Sequence, residues 1–218
     1  MYEINDPAPP PREPAFNAPW PALLLTLAIL GSYALQSRLL DDAGLYALAL
    51  VPARLQQGEW AGLVTSIFLH GGWVHVLLNS AFALAFGTPI ARLLGVNLKG
   101  AILLWGFFLL CGIGSGAIYA VIHQGSMGAV IGASGAVSGM MGAAARLMDR
   151  RGVLGPILSP SVMSTGAAWI IVNLLVALFG LTPGNDGAGV AWEAHLAGFA
   201  VGLVLIGPIA ALASGREK

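Results

Sequence analysis

The chain has 218 residues and no net charge; 57% of its residues are hydrophobic and only 9% are charged. A soluble domain carries about 25% charged residues, so a water-soluble globule is excluded and contact with lipid is predicted. The zero net charge gives no indication of a nucleic-acid partner, and the single cysteine, Cys111, can form neither an internal disulfide nor a metal site.

Six apolar runs follow a proline-rich start, residues 1–19, which hold six of the thirteen prolines and are predicted to be a disordered tail. No cleavable signal peptide is expected there, because no basic start leads into an early apolar core. Spans are predicted at 20–37, 73–94, 99–122, 133–148, 166–182 and 191–213, inside a membrane domain of residues 20–213 that precedes a tail of residues 214–218. All except the fourth approach the ~20 residues that a helix needs to cross the hydrocarbon core. The predicted fold is all-α, a polytopic membrane bundle of six helices.

The short fourth span comes directly after a glycine-rich stretch, residues 125–132. This order indicates a helix that begins inside the membrane. Irregular backbone at that depth is tolerated only where protein or a water-filled cavity surrounds it. A functional site is therefore expected at the start of this span.

Basic residues predict the orientation of the bundle by the positive-inside rule. With a cytoplasmic N-terminus, the inner segments carry eight basic residues: Arg12, Arg92, Lys99, Arg146, Arg150, Arg151, Arg216 and Lys218. The outer segments carry only Arg38 and Arg54. Both termini are therefore expected in the cytoplasm.

Polar residues inside spans are functional candidates. Because no acidic or basic residue lies deep in any predicted span, the chemistry must come from His, Ser, Thr, Asn and backbone groups. His75 and Asn79 are four residues apart and share a helix face. They could bond neighbouring helices, or they could donate to an oxyanion. A zinc site is disfavoured, because the Glu of a His-Glu-x-x-His motif is missing.

Ser134 lies in the motif Gly132-Ala-Ser134-Gly135-Ala-Val-Ser138-Gly, at the start of the fourth span. A serine in a span is usually a packing residue, but a helix start offers unpaired N–H groups that stabilise an alkoxide or oxyanion. His195 begins the last span and shares a face with Gly198 and Gly202, which permit close helix contact. Such packing would bring His195 towards Ser134, as a base beside a nucleophile.

Together these motifs resemble the rhomboid protease family: Gly-Ala-Ser134-Gly, Ala-His195-x-x-Gly-x-x-x-Gly and His75-x-x-x-Asn79, in order and on the corresponding spans. The resemblance implies an intramembrane serine protease that uses a Ser134–His195 dyad and cuts single-span membrane proteins near the outer face. It implies an oxyanion site of His75, Asn79 and the Ser134 N–H. His70, five residues before His75, also fits many members. Supporting roles are expected for His70, Gly132, Gly135, Ser138, Gly198 and Gly202.

Two positions depart from the family pattern. Trp60 is followed by Ala61-Gly62 where many members have Arg, and Ser138 stands where many have an aromatic ring against the histidine. The alternatives are an inactive relative that binds membrane proteins, a transporter or channel and, least favoured, a haem protein. We expect no metal or cofactor; the expected partners are transmembrane substrates and lipid, in a bacterial inner membrane.

Overall fold

The computed structural model describes residues 17–150, 152–180 and 189–215. Most of the predicted N-terminal tail, residues 216–218 of the C-terminal tail and the predicted end of the fifth span lie outside these residues. The helices are α1 (Trp20–Leu39), α2 (Asp42–Leu48), α3 (Pro52–Gln56), α4 (Gly62–Thr65), α5 (Trp73–Leu94), α6 (Leu98–Ile122), α7 (Ser134–Met148), α8 (Pro160–Phe179) and α9 (Trp192–Ala213). Within the described ranges the only β pairing is an isolated bridge, Leu50 with Val130. The predicted all-α fold is confirmed.

Five helices of the described chain are long and apolar enough to cross a membrane: α1, α5, α6, α8 and α9. The sixth member of the bundle is α7, whose fifteen residues rise about 22 Å at ~1.5 Å each, less than the ~30 Å hydrocarbon core. Twelve of those fifteen residues are buried. The short helix is therefore the centre of the bundle, surrounded by longer helices.

Local sequence signals explain where several helices begin and end. The Asn97 side chain caps α6 by accepting from Gly100 N–H at 2.9 Å. Helix α5 ends at Leu94, and the next residue, Gly95, has a φ of 103°. Glycine adopts this conformation without a steric penalty. The apolar core lies between α1, α5, α6, α7 and α9 and includes Phe107, Phe108, Leu25, Ile90, Met140 and Ile206.

The fifth predicted span, 166–182, is wrong at its start, and its predicted end lies outside the described residues. Helix α8 begins at Pro160, after the Ser159 side chain that accepts from Val162 N–H. Serine before the first turn and proline within it are a strong signal for the start of a helix. The span was predicted from hydropathy, which does not take this signal into account. The helix ends at Phe179, where Gly180 takes a left-handed conformation.

The segment between α1 and α5 contains only short helices and no span, as its two short apolar runs predict. Arg54 is bonded to Glu59, and its guanidinium also donates to the carbonyls of Tyr46 and Ala47, at 3.1 and 3.2 Å. Ser32 of α1 donates to the Phe68 carbonyl at 2.9 Å. These bonds hold the loop at the end of the bundle where α5, α7 and α9 begin.

Candidate active site

A cavity of about 840 Å³ opens at the end of the bundle where α7 begins. Residues of α5, α6, α7, α8 and α9 line it, together with the loop before α7. Ser134, His195, His75 and Asn79 are all among the lining residues. The structure thus brings the four principal predicted residues into one cavity, although they come from three helices.

Ser134 is the first residue of α7, and its Oγ lies 2.8 Å from His195 Nε2. The first N–H groups of a helix have no intrahelical acceptor, so the serine stands among unpaired donors and near the positive end of the helix dipole. A hydroxyl at hydrogen-bond distance from an imidazole nitrogen is the arrangement of an activated nucleophile and its base.

The loop before Ser134 requires glycine at position 132. Gly132 has a φ of 129°, and a Cβ there would lie 2.9 Å from His75 Nε2. The Gly132 N–H donates to the Ser66 carbonyl at 2.9 Å. A side chain at this position, two residues before the serine, would therefore strain the backbone and displace the His75 ring.

His75 is oriented by its own loop. The Gly71 N–H donates to His75 Nδ1 at 3.4 Å, so in the neutral ring Nε2 carries the hydrogen and can donate. The Asn79 amide nitrogen donates to the His75 carbonyl at 3.1 Å. Because an amide nitrogen carries two hydrogens, this bond leaves one Asn79 donor for the cavity that the side chain lines.

His70 is fully buried beneath the site and does not line the cavity. Its Nε2 accepts from the Ala133 N–H at 3.4 Å, and Gln36 of α1 pairs with both its backbone N–H and its carbonyl, at 2.8 and 2.7 Å. Burial, with a smaller effect of His75, lowers the pKa of His70 to about 3. His70 therefore stays neutral near pH 7 and supports the loop that precedes Ser134.

Glycines allow α7 and α9 to touch through their backbones. A Cβ at Gly198 would collide with the Gly135 carbonyl, and one at Gly202 with the Gly139 carbonyl. A Cβ at Gly135 would collide with the Ser115 hydroxyl. This close approach brings the start of α9, and with it His195, to the start of α7.

Ser138 is buried, and its Oγ donates to the Ser134 carbonyl at 2.7 Å. It therefore bonds its own helix and offers no ring to His195. The Trp169 ring of α8 lies beside His195 instead, with centroids 5.9 Å apart and planes 33° apart.

Sequence reasoning missed three residues of the site: Trp169, Asn173 and Ser115. Asn173 Oδ1 lies 2.8 Å from His195 Nδ1, and Ser115 Oγ donates to the Ala194 carbonyl at 2.7 Å. An asparagine in the middle of an apolar span is a signal that could have identified Asn173.

The acidic residue nearest His195 in sequence faces another partner. Glu193 Oε1 lies 3.2 Å from His123 Nε2 at the rim of the cavity. The part of the chain that the structure describes contains no group of three or more His, Cys, Asp or Glu side chains that could hold a metal ion.

Comparison with known proteins agrees with this geometry. The Rhomboid domain family matches residues 57–211. This range includes every residue of α5 to α9 that lines the cavity. A protein of Bacillus subtilis (strain 168) named "Putative rhomboid protease YdcA" is 35% identical over 85 residues, which cover 34% of this chain and 38% of that relative. Because the family match extends over more than half of the 218 residues, the predicted membership is confirmed, and the chain belongs to the rhomboid family.

Proposed function

We propose that this chain is an intramembrane serine protease that cuts single-span membrane proteins near the outer face of the membrane. The observation that carries the proposal is the 2.8 Å distance between Ser134 Oγ and His195 Nε2 in a cavity between membrane helices. Membership of a family that includes a protease-named relative gives further support.

In the proposed reaction Ser134 Oγ attacks the scissile carbonyl carbon and its proton passes to His195 Nε2. The carbonyl oxygen becomes an oxyanion, which accepts hydrogen bonds from the Ser134 N–H, His75 Nε2 and Asn79 Nδ2. His195 then gives the proton to the leaving amine, and the C–N bond breaks. Water attacks the acyl-enzyme with His195 again as base, which releases the acid product and restores Ser134.

The distribution of charge supports an outward-facing site. Arg92 is in the last turn of α5, Lys99 is in the first turn of α6 and Arg146 is in the last turn of α7. The cavity lies at the opposite ends of these helices. If basic residues mark the cytoplasmic side, the cavity opens outward and both termini are cytoplasmic, as in a bacterial inner membrane protein.

The test is cleavage of a reconstituted single-span protein by the purified chain, together with labelling of the chain by a fluorophosphonate. We expect Ser134→Ala and His195→Ala each to abolish both signals, while Ser164→Ala, which changes an exposed serine of α8, retains them. A chelator should have no effect. Cleavage that survives in Ser134→Ala, or that a chelator removes, would exclude the serine mechanism. A folded wild-type chain that neither labels nor cuts would favour the inactive, substrate-binding alternative.

A further inference from the structure

The imidazole of His195 has a second hydrogen-bond partner, which the dyad alone does not require. Asn173 Oδ1 lies 2.8 Å from His195 Nδ1, and Asn173 Nδ2 donates to the Trp169 carbonyl at 2.8 Å. A backbone carbonyl can only accept, so the amide nitrogen faces Trp169 and the amide oxygen faces the imidazole. An amide oxygen is likewise an acceptor only, and the hydrogen of the neutral imidazole must therefore be on Nδ1.

This hydrogen determines which imidazole nitrogen is basic. With Nδ1 protonated, the lone pair is on Nε2, the atom 2.8 Å from Ser134 Oγ. The opposite tautomer would point an N–H at the serine and could not take its proton. We propose that Asn173 is the positioning residue of His195: it selects the reactive tautomer and holds the ring towards Ser134, with the Trp169 ring beside it.

The burial pattern of α8 favours this role over simple helix association. Only Val162 and Asn173 are buried in α8, and Asn173 is 2% exposed. Most of the helix is available to lipid, where an apolar side chain of similar size would suit it better than an amide. The one amide of the helix is instead directed at the imidazole.

The same helix face carries both contacts to the imidazole. Trp169 and Asn173 are four residues apart, one turn of α8, and both line the cavity. In the described structure the aromatic ring beside His195 is that of Trp169. Ser138, the residue one turn after Ser134, bonds its own helix. Residues of α8 thus contact the proposed base, His195, whereas the proposed nucleophile, Ser134, belongs to α7.

The inference rests on the proposed function, and its test compares Asn173→Leu with Asn173→Asp. Leu has a similar volume and no acceptor, whereas Asp keeps an oxygen that accepts from Nδ1. Leu175→Ala, on the exposed side of α8, is the matched control. The measurements are kcat and KM for the reconstituted substrate, the rate of fluorophosphonate labelling and the unfolding temperature.

We expect Asn173→Leu to lower kcat and the labelling rate roughly 10- to 100-fold, less than the ~10⁴-fold that loss of an orienting aspartate costs a serine triad. KM should change less than kcat, and the unfolding temperature should not fall. Asn173→Asp should be much faster than Asn173→Leu in both kcat and labelling rate. The Leu175→Ala control should match the wild type. Trp169→Leu should slow labelling more than Trp169→Phe, which keeps a ring.

Three outcomes would overturn the inference: wild-type kcat in Asn173→Leu, equal losses in the Leu and Asp variants, or a loss confined to KM. If Asn173→Leu fails to fold, Asn173→Ala also removes the acceptor, with a smaller side chain, and supplies the same comparison. A wild-type chain that is itself inactive would refute the proposed function, and this result is distinct from an active wild type with an unaffected Asn173→Leu variant.

Discussion

Gly198 of α9 lies against the backbone carbonyl of Gly135 in α7, and no side chain fits between the two. One turn along, Gly202 meets the Gly139 carbonyl in the same way. This backbone contact determines how far the start of α9 is from the start of α7. The 2.8 Å approach of His195 to Ser134 therefore depends on glycine at positions 198 and 202, three and seven residues further along α9.

We predict that Gly198→Ala destabilises the protein and slows its chemistry. The added methyl group must separate α7 from α9, and overpacking of this kind costs about 1–3 kcal/mol. Gly207→Ala is the control, because a Cβ there would lie 3.7 Å from its nearest neighbour, Arg146. The unfolding temperature in detergent and the rate of fluorophosphonate labelling should both fall in Gly198→Ala alone; equal behaviour of the two variants would contradict the prediction.

His75→Ala and Asn79→Ala should reduce kcat for substrate cleavage while Ser134 remains reactive to the fluorophosphonate. Loss of one oxyanion donor costs about 10²–10³ in kcat, whereas neither residue accepts the serine proton. Leu77→Ala, at an exposed position of the same helix, should cleave normally. Wild-type turnover in both variants would show that His75 and Asn79 serve only to pack α5 against its neighbours.

Cleavage should decrease as the pH is lowered through the range in which His195 takes up a proton. A general base must be neutral to accept the serine proton, and an unperturbed histidine titrates near ~6.5. Burial lowers the pKa of His70 to about 3, so this residue titrates below the range of an unperturbed histidine. His75 also lines the cavity, so the profile should be measured in the wild type and in His75→Ala. A rate that is constant from pH 8 to pH 4 in a folded enzyme would argue against His195 as the base.

Ser138→Ala should change cleavage only a few-fold, because the hydroxyl bonds its own helix carbonyl and such bonds contribute little to helix stability. The measurement is the cleavage rate of Ser138→Ala, compared with that of Ser134→Ala. A complete loss of activity in Ser138→Ala would mean that the catalytic group includes this serine. Ser138→Phe in a Trp169→Leu background tests whether a ring from α7 can replace the ring from α8.

Gly166 offers a way to move α8 without touching the imidazole. It lies seven residues before Asn173 on the same helix face, and a Cβ there would be 3.6 Å from the Phe199 ring of α9, an ordinary contact. Gly166→Ala should therefore behave as the wild type. The longer side chain of Gly166→Leu must push α8 outward, which lengthens the bond between Asn173 and His195.

The expected result is slower fluorophosphonate labelling in Gly166→Leu than in Gly166→Ala, measured at a temperature at which both variants are folded. This reagent is small and soluble, so its reaction does not depend on the entry of a transmembrane substrate. Equal labelling rates in the Ala and Leu variants would mean that the dyad is independent of the position of α8.

Most of the bundle could be predicted from the sequence, because a membrane imposes a length and a composition on each span. The predicted 73–94 span coincides with α5, and the predicted 133–148 differs from α7 by one residue. The start of α8 was misplaced, because hydropathy measures the apolar run and ignores the Ser159-Pro160 start signal. Ser134 and His195 were predicted as partners because each stands at a helix start beside glycines, which are visible as local patterns.

The sequence alone predicted that the chain spans a membrane, that one helix is short and that a serine and a histidine stand near helix starts. Only the tertiary structure decided which side chains meet. Asn173 bonds a histidine that lies 22 residues further along the chain, on another helix, and the ring beside that histidine comes from Trp169 of α8. Such contacts depend on the rotation of α8 about its axis, which helix packing sets and which no local pattern in an almost uniformly apolar helix can encode.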